Sequence, residues 1–231
     1  MRSLPTSLLT CLLLLPLSGA EKEKPLPRLI YLKHSKLLHT LEGHTDPVIE
    51  VAWSQDGRLL ASGGDKSMNL WDAVSGKLLQ TPPGQTHMVL DMAWSPDRKR
   101  FASGTLGRTV KVVDAANDKL LLTLKGHTKH ILSVAWSPDG KRLASGSCDK
   151  TAKVWEAASG KLLHTLQRHT NFVVNVAWSP DGKRLASGSL DKTVKVWEAA
   201  SGKLLHTLQG HTDEVWSVTW SPDGGRLASG S

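Results

Sequence analysis

Hydrophobic and polar positions alternate along most of this chain in short runs, and the runs recur with a fixed period. Trp53, Trp94, Trp136, Trp178 and Trp220 mark one register, 42 residues apart with one interval a residue shorter. Each closes an apolar alternation such as Val134-Ala135-Trp136 and is followed by a turn: Ser-Gln-Asp-Gly, Ser-Pro-Asp-Arg, or Ser-Pro-Asp-Gly three times. In Pro-Asp-Gly the proline presets φ, the aspartate caps locally and the glycine accepts positive φ. Arg-Leu-Ala-Ser-Gly-Ser comes next, then a polar Asp-Lys turn, then Thr-Val-Lys-Val-Trp with a period of two. Ala-Ser-Gly-Lys turns the chain again into Leu-Leu-His-Thr-Leu. Each unit therefore predicts four short strands joined by tight turns, and no stretch beyond the N-terminal segment carries a helical period. One such unit cannot bury its apolar strand faces alone, so the copies must stack.

The first residues read differently. Arg2 supplies a positive start, and Leu8 to Leu17 form an apolar run too short to span a bilayer. Ser18-Gly19-Ala20 offers small residues just before the charged Glu21-Lys22-Glu23-Lys24. The pattern predicts a cleavable secretory signal peptide over 1–20, a linker over 21–35, and a secreted or periplasmic mature chain with no further transmembrane segment. An uncleaved anchor, or a lipoprotein attached through Cys11, fits less well. Thr10 is large for the position before a lipidated cysteine, and the apolar run continues past it. Cleavage would leave Cys148 as the one cysteine, so no internal disulfide could form.

The formal net charge of +8 comes largely from the repeated phrases Gly-Lys-Leu-Leu, Gly-Lys-Arg-Leu and Asp-Lys-Thr-Val-Lys-Val rather than from a basic tail. Charge spread this evenly predicts a solvated outer surface, not a single basic groove for nucleic acid.

The repeat resembles the WD40 repeat. The family's Gly-His pair stands at Gly43-His44, Gly126-His127 and Gly210-His211, and as Arg168-His169 in one copy. Its Trp-Asp pair stands at Trp71-Asp72, with the variants Trp155-Glu156 and Trp197-Glu198. The resemblance implies an all-β propeller over 36–231, with about four and a half blades of the family's usual seven-bladed ring. Blades are expected at about 47–81, 88–124, 130–166 and 172–208, with a partial blade over 214–231. The segment 36–41 is expected as an outer strand of the last blade. That blade's inner edge would lack a partner, and because exposed edges recruit other chains, self-association is expected.

Each good copy holds a His, a Ser and an Asp at fixed offsets, the ingredients of acyl-transfer catalysis. A catalytic set need occur only once, however, whereas this one recurs with the blade, always with a Trp six residues after the Asp. In the family the corresponding residues form a Trp–Ser–His–Asp hydrogen-bond chain. The resemblance assigns that structural role to His44, Ser62, Asp65 and Trp71; to His127, Ser145, Asp149 and Trp155; to His169, Ser187, Asp191 and Trp197; and to His211 and Ser229. Blade two departs: Gln85 occupies the His register, Gly107 replaces Asp and Val113 replaces Trp. No such chain is expected there.

The copies differ most between Gly-His-Thr and Val-Ala-Trp. In the family that entry to the first strand, with the residue before the Asp of the second turn, faces the rim where partners commonly dock. The implied partner-binding residues are Pro47, Ile49, Met88, Leu90, His130, Leu132, Phe172, Val174, Glu214 and Trp216, plus Leu106, Cys148 and Leu190. Trp216 and Phe172 have no repeat role that would explain them by packing.

The resemblance implies a non-catalytic scaffold presenting a rigid propeller face to a protein or peptide, with no enzyme activity, cofactor or metal. Two other readings stand beside it. One is the docking or regulatory propeller of an exported enzyme whose catalytic part lies outside these residues. The other is a binder of polyanions or nucleic acid, suggested by an isoelectric point near 9.6; export would count against a nucleic-acid partner.

Overall fold

The computed structural model describes residues 37–231 except Asp46, Gln55, Asp65, Lys66 and 83–86. The signal-peptide and linker expectations lie outside the described residues, as do Asp65 and Gln85. A compact unit from Leu41 to Ser231 holds every strand found among the described residues. Leu37 to Leu41 lie in no strand, in contrast to the strand expected over 36–41. A strand forms only against a ladder, and the described part of the last blade supplies just two strands.

Blade one comprises β1 (Val48–Trp53), β2 (Leu59–Gly64), β3 (Met68–Asp72) and β4 (Leu78–Gln80). Blade two comprises β5 (Val89–Trp94), β6 (Arg100–Thr105), β7 (Thr109–Asp114) and β8 (Leu120–Lys125). Blade three holds β9 (Ile131–Trp136), β10 (Arg142–Ser147), β11 (Thr151–Glu156) and β12 (Leu162–Gln167). Blade four holds β13 (Val173–Trp178), β14 (Arg184–Ser189), β15 (Val194–Glu198) and β16 (Leu204–Leu208). Blade five contributes β17 (Ser217–Trp220) and β18 (Leu227–Gly230). Each blade is an antiparallel meander in sequence order. The turns carry the predicted chemistry: Gly140 sits at φ +67°, and its amide donates to the Ser137 carbonyl. Arg98, at the same position of blade two, is forced to φ +61°, a conformation that disfavours side chains.

The apolar cores lie in the seams between blades. Val110, Val112 and Leu124 of blade two pack with Ile131, Val134, Leu143 and Trp155 of blade three. The same pattern recurs one blade on, where Val154 and Leu166 meet Val173, Val176 and Trp197. Stacking thus supplies the burial that a single sheet cannot.

Two polar devices stitch the seams. The indole N–H of Trp94, Trp136, Trp178 and Trp220 donates to a carbonyl of the preceding blade: Ala52, Ala93, Ala135 and Ala177 respectively, at 3.0–3.1 Å. In return Arg100, Arg142 and Arg184 lay their guanidinium groups over Trp136, Trp178 and Trp220 at 4.7–4.8 Å.

The repeated cations are therefore not all solvated, contrary to the reading of their even spread. Besides these arginines, Lys153 and Lys195 are only 7% exposed. Their ammonium groups donate to Thr165 and Thr207 on the neighbouring strand. Long side chains lie along apolar strands and find a polar tip partner, so a regular charge pattern is divided between core and surface.

Candidate interaction surface

In blades three and four the Trp, Ser, His and Asp of the repeat form a continuous chain. The Trp155 indole N–H donates to Ser145 Oγ at 2.9 Å, and His127 joins Ser145 through Nε2 at 2.8 Å and Asp149 through Nδ1 at 2.8 Å. Trp197, Ser187, His169 and Asp191 repeat these distances. The chemistry fixes the protons. An indole only donates and an ionised carboxylate only accepts, so His Nδ1 carries a hydrogen, and in the neutral imidazole Nε2 accepts from the serine hydroxyl. Each serine hydroxyl is fully used by structure and faces no open cavity, since Ser145 and Ser187 have no exposed surface.

The flanking blades close the chain differently. In blade one Trp71 and His44 converge on Ser62 at 2.7 and 2.6 Å, while His44 Nδ1 meets Ser67. In blade five His211 bonds Ser229 and Ser231. In blade two Gly107 and Val113 supply neither carboxylate nor indole, and His87 packs over Gly107, where a Cβ would come within 2.7 Å of the ring.

Asp149 shows what the chain does electrostatically. Burial works to raise its pKa, but bonds from His127, Thr151 and the Thr128 amide prevail and hold the carboxyl well below its ordinary range. Burial dominates at His169 and lowers its pKa despite Asp191. In blades three and four these bonds tie the loop before the first strand to the turn after the second, directly ahead of the variable residues.

Those variable residues come together in pairs through the backbone. The Leu106 amide donates to the Met88 carbonyl, the Cys148 amide to His130, and the Leu190 amide to Phe172, at 2.9–3.0 Å. His130 Nδ1 crosses from blade three to the Leu106 carbonyl of blade two at 2.6 Å. The implied rim is thus continuous from Met88 through Leu106 and His130 to Cys148. A β-bulge in each of the first four blades skips one inner-strand residue in the ladder: Ile49, Leu90, Leu132 or Val174. Bulges re-aim side chains, and each of these falls on one of the implied rim positions.

Pro47 is exposed, and Ile49, Met88, Leu90, Leu106, His130, Leu132, Phe172, Val174, Glu214 and Trp216 are partly exposed. Cys148 and Leu190 are buried beneath the rim, and burial pushes the Cys148 thiol up to about 11. These two support the surface more than they form it.

The structure brings out a second set of residues. Glu50, Asp91, Ser133, Asn175 and Ser217 occupy one position of the inner strands. Asp91 accepts the Val134 amide at 2.6 Å, Ser133 the Val176 amide at 3.3 Å, and Asn175 the Val218 amide at 3.1 Å. Each bond joins one blade to the next. Burial, with Glu50 nearby, pushes Asp91 up to about 7. The available signal was a polar residue between apolar neighbours in every copy, although its identity changes. Among the described residues no three His, Cys, Asp or Glu side chains converge to hold a metal.

A family model described as WD domain, G-beta repeat matches residues 35–72, 76–114, 118–156, 160–198 and 202–231. The chain is also 54% identical over 46 residues to a protein of Ixodes scapularis named "Probable cytosolic iron-sulfur protein assembly protein CIAO1 homolog". That similarity spans 20% of this chain and 14% of the tick protein.

Proposed function

Since the chain belongs to the WD domain, G-beta repeat family, we propose that it is a non-catalytic scaffold that binds a protein or peptide at the rim of its inner strands. One observation carries the reading. The strands of blades three, four and five are nearly copies of one another, yet the rim reads His130 and Leu132, then Phe172 and Val174, then Glu214 and Trp216. A rigid frame with variable, largely apolar tips is what a recognition surface requires. Large aromatic side chains at such positions carry a disproportionate share of binding energy. The repeated Ser, His and Asp, being committed to structure, support the non-catalytic part of the reading.

The test begins with peptides selected by display against the intact protein. Their affinities are then measured for the native chain and for a variant carrying Phe172→Ala and Trp216→Ala. Loss of about 2 kcal/mol or more is expected if these are anchors, with the melting curve little changed. Peptides that bind both proteins equally would move the site to the outer strands.

A further inference from the structure

One repeat position holds Gly43, Gly84, Gly126 and Gly210 in four copies and Arg168 in the fifth. Gly43, Gly126 and Gly210 lie at φ +151°, +158° and +137°, whereas Arg168 has no positive φ. The missing side chain lets the tryptophan of the blade approach closely. A Cβ on Gly126 would come within 3.1 Å of the Trp155 ring, and one on Gly43 within 3.3 Å of Trp71. Arg168 carries a Cβ at that point, so its backbone takes a different course beside Trp197. A groove of ≈ 860 Å³ lies there, between blades three and four.

Residues 165–168 of blade three form one side of the groove, and Trp197 with residues 202–204 of blade four form the other. Successive side chains of a strand point to opposite faces, so a groove touched by 165, 166 and 167 in turn follows the edge of β12 rather than one of its faces. β12 ends its sheet, and among the described residues no strand pairs with its other edge. Arg168 and Lys203 are both exposed, and among the described residues neither side chain has an ion-pair or hydrogen-bond partner. Lys153 adds a third cation behind the groove, its ammonium donating to the Thr165 hydroxyl at 2.8 Å. None of the lining residues is acidic, while Leu166, Trp197 and Leu204 contribute apolar surface.

We propose that this groove binds an extended acidic segment of a partner protein, which pairs with the free edge of β12 and sets its carboxylates against Arg168 and Lys203. The occupant follows from three features that coincide here. An open strand edge accepts a further strand through backbone hydrogen bonds. Two unpaired cations without a neighbouring carboxylate in the lining call for negative charge, and the guanidinium of Arg168 can hold a carboxylate through two parallel bonds. The apolar surface favours a peptide with hydrophobic residues between its acidic ones over a bare polyanion. The seam of blades two and three, where Gly126 replaces the arginine and Leu124 lies within 3.0 Å of a Cβ on Gly160, lacks the first of the two cations. This site is separate from the rim and does not rest on the rim's function.

Fluorescence anisotropy with a labelled, end-capped peptide of alternating glutamate and valine tests the site on the intact chain. The native protein should bind it, and the same peptide with glutamine for glutamate should bind far more weakly. Arg168→Gly restores the residue of the other copies, so the fold and melting curve should be kept while affinity falls by about fivefold or more, as for a charge-assisted pair near the surface. Lys203→Ala should weaken binding by about threefold, whereas Lys161→Ala, the same position one seam earlier, should not. A probe with proline at its central position, unable to donate there, should also bind weakly if the strand edge is used. The variant carrying Phe172→Ala and Trp216→Ala should bind the probe as the native chain does, which separates this site from the rim. No binding by the native chain, or binding that Arg168→Gly leaves intact, would overturn the proposal. Equal binding of the proline probe, or full displacement by a thymidine oligonucleotide at equal charge, would reduce the site to a general anion contact and overturn the peptide assignment.

Discussion

The Asp91 carboxylate accepts the Val134 backbone N–H at 2.6 Å across the seam between blades two and three. The corresponding residue of blade four, Asn175, makes the same bond to Val218 with a neutral amide oxygen. One structural task is thus done by a charged group in one seam and a neutral group in another, and the difference is testable through pH.

Asp91 is pushed up to about 7 in the folded protein, mainly by burial. The folded state therefore binds more protons than the unfolded chain between the ordinary aspartate range and neutrality, and stability falls as pH rises across that window. Asp91→Asn should remove this slope while its amide oxygen keeps the Val134 bond. The variant is expected to melt above the native protein at pH 8 and alongside it near pH 4. Equal melting of the two at every pH would contradict the assignment.

The carboxyls of Asp149 and Asp191 behave in the opposite sense. Both are held low in the folded state by bonds from histidine, threonine and a backbone amide. Their stabilisation is present above the ordinary aspartate pKa and is lost as pH falls through the folded value. Replacing both by Asn should flatten the acid limb of a pH-dependent unfolding curve.

Ser145→Ala should destabilise by about 1–3 kcal/mol, because it orphans the buried Trp155 N–H and His127 Nε2 together. Chemical denaturation at neutral pH measures this. A hydrolase nucleophile would instead be removable with little loss of stability.

Arg142→Ala should destabilise by about 1–3 kcal/mol through the lost cation–π contact and the two hydrogen bonds to blade four. Arg142→Lys should recover little of it, as an ammonium cannot lie flat on Trp178 while reaching two carbonyls. The readout is again the denaturation midpoint. Full recovery by lysine would mean that charge alone matters there.

Cys148 should resist alkylation at pH 8 in the folded protein and react at the rate of a free thiol once unfolded. Its thiol is buried and pushed up to about 11, and the thiolate is the reactive form. Mass spectrometry of an iodoacetamide time course distinguishes the two states.

The sequence by itself determined the repeat, the four-strand unit and the turns, and its resemblance to a known family implied the hydrogen-bond chains. These depend on residues close in sequence or fixed by the period, and five copies in register make that pattern hard to mistake. It could not show what happens in the seams. Whether the arginine of Gly-Lys-Arg-Leu points to water or onto a tryptophan depends on a residue 36 positions away, as Arg142 and Trp178 show. The buried lysines and the polar positions from Glu50 to Ser217 were likewise decided only by stacking. Nor could the sequence show the bulges at Leu90, Leu132 and Val174, which break the simple alternation of the inner strands. Periodicity states which residues share a face of a strand. What lies against that face, and whether a polar group there finds a partner, is set by the neighbouring blade.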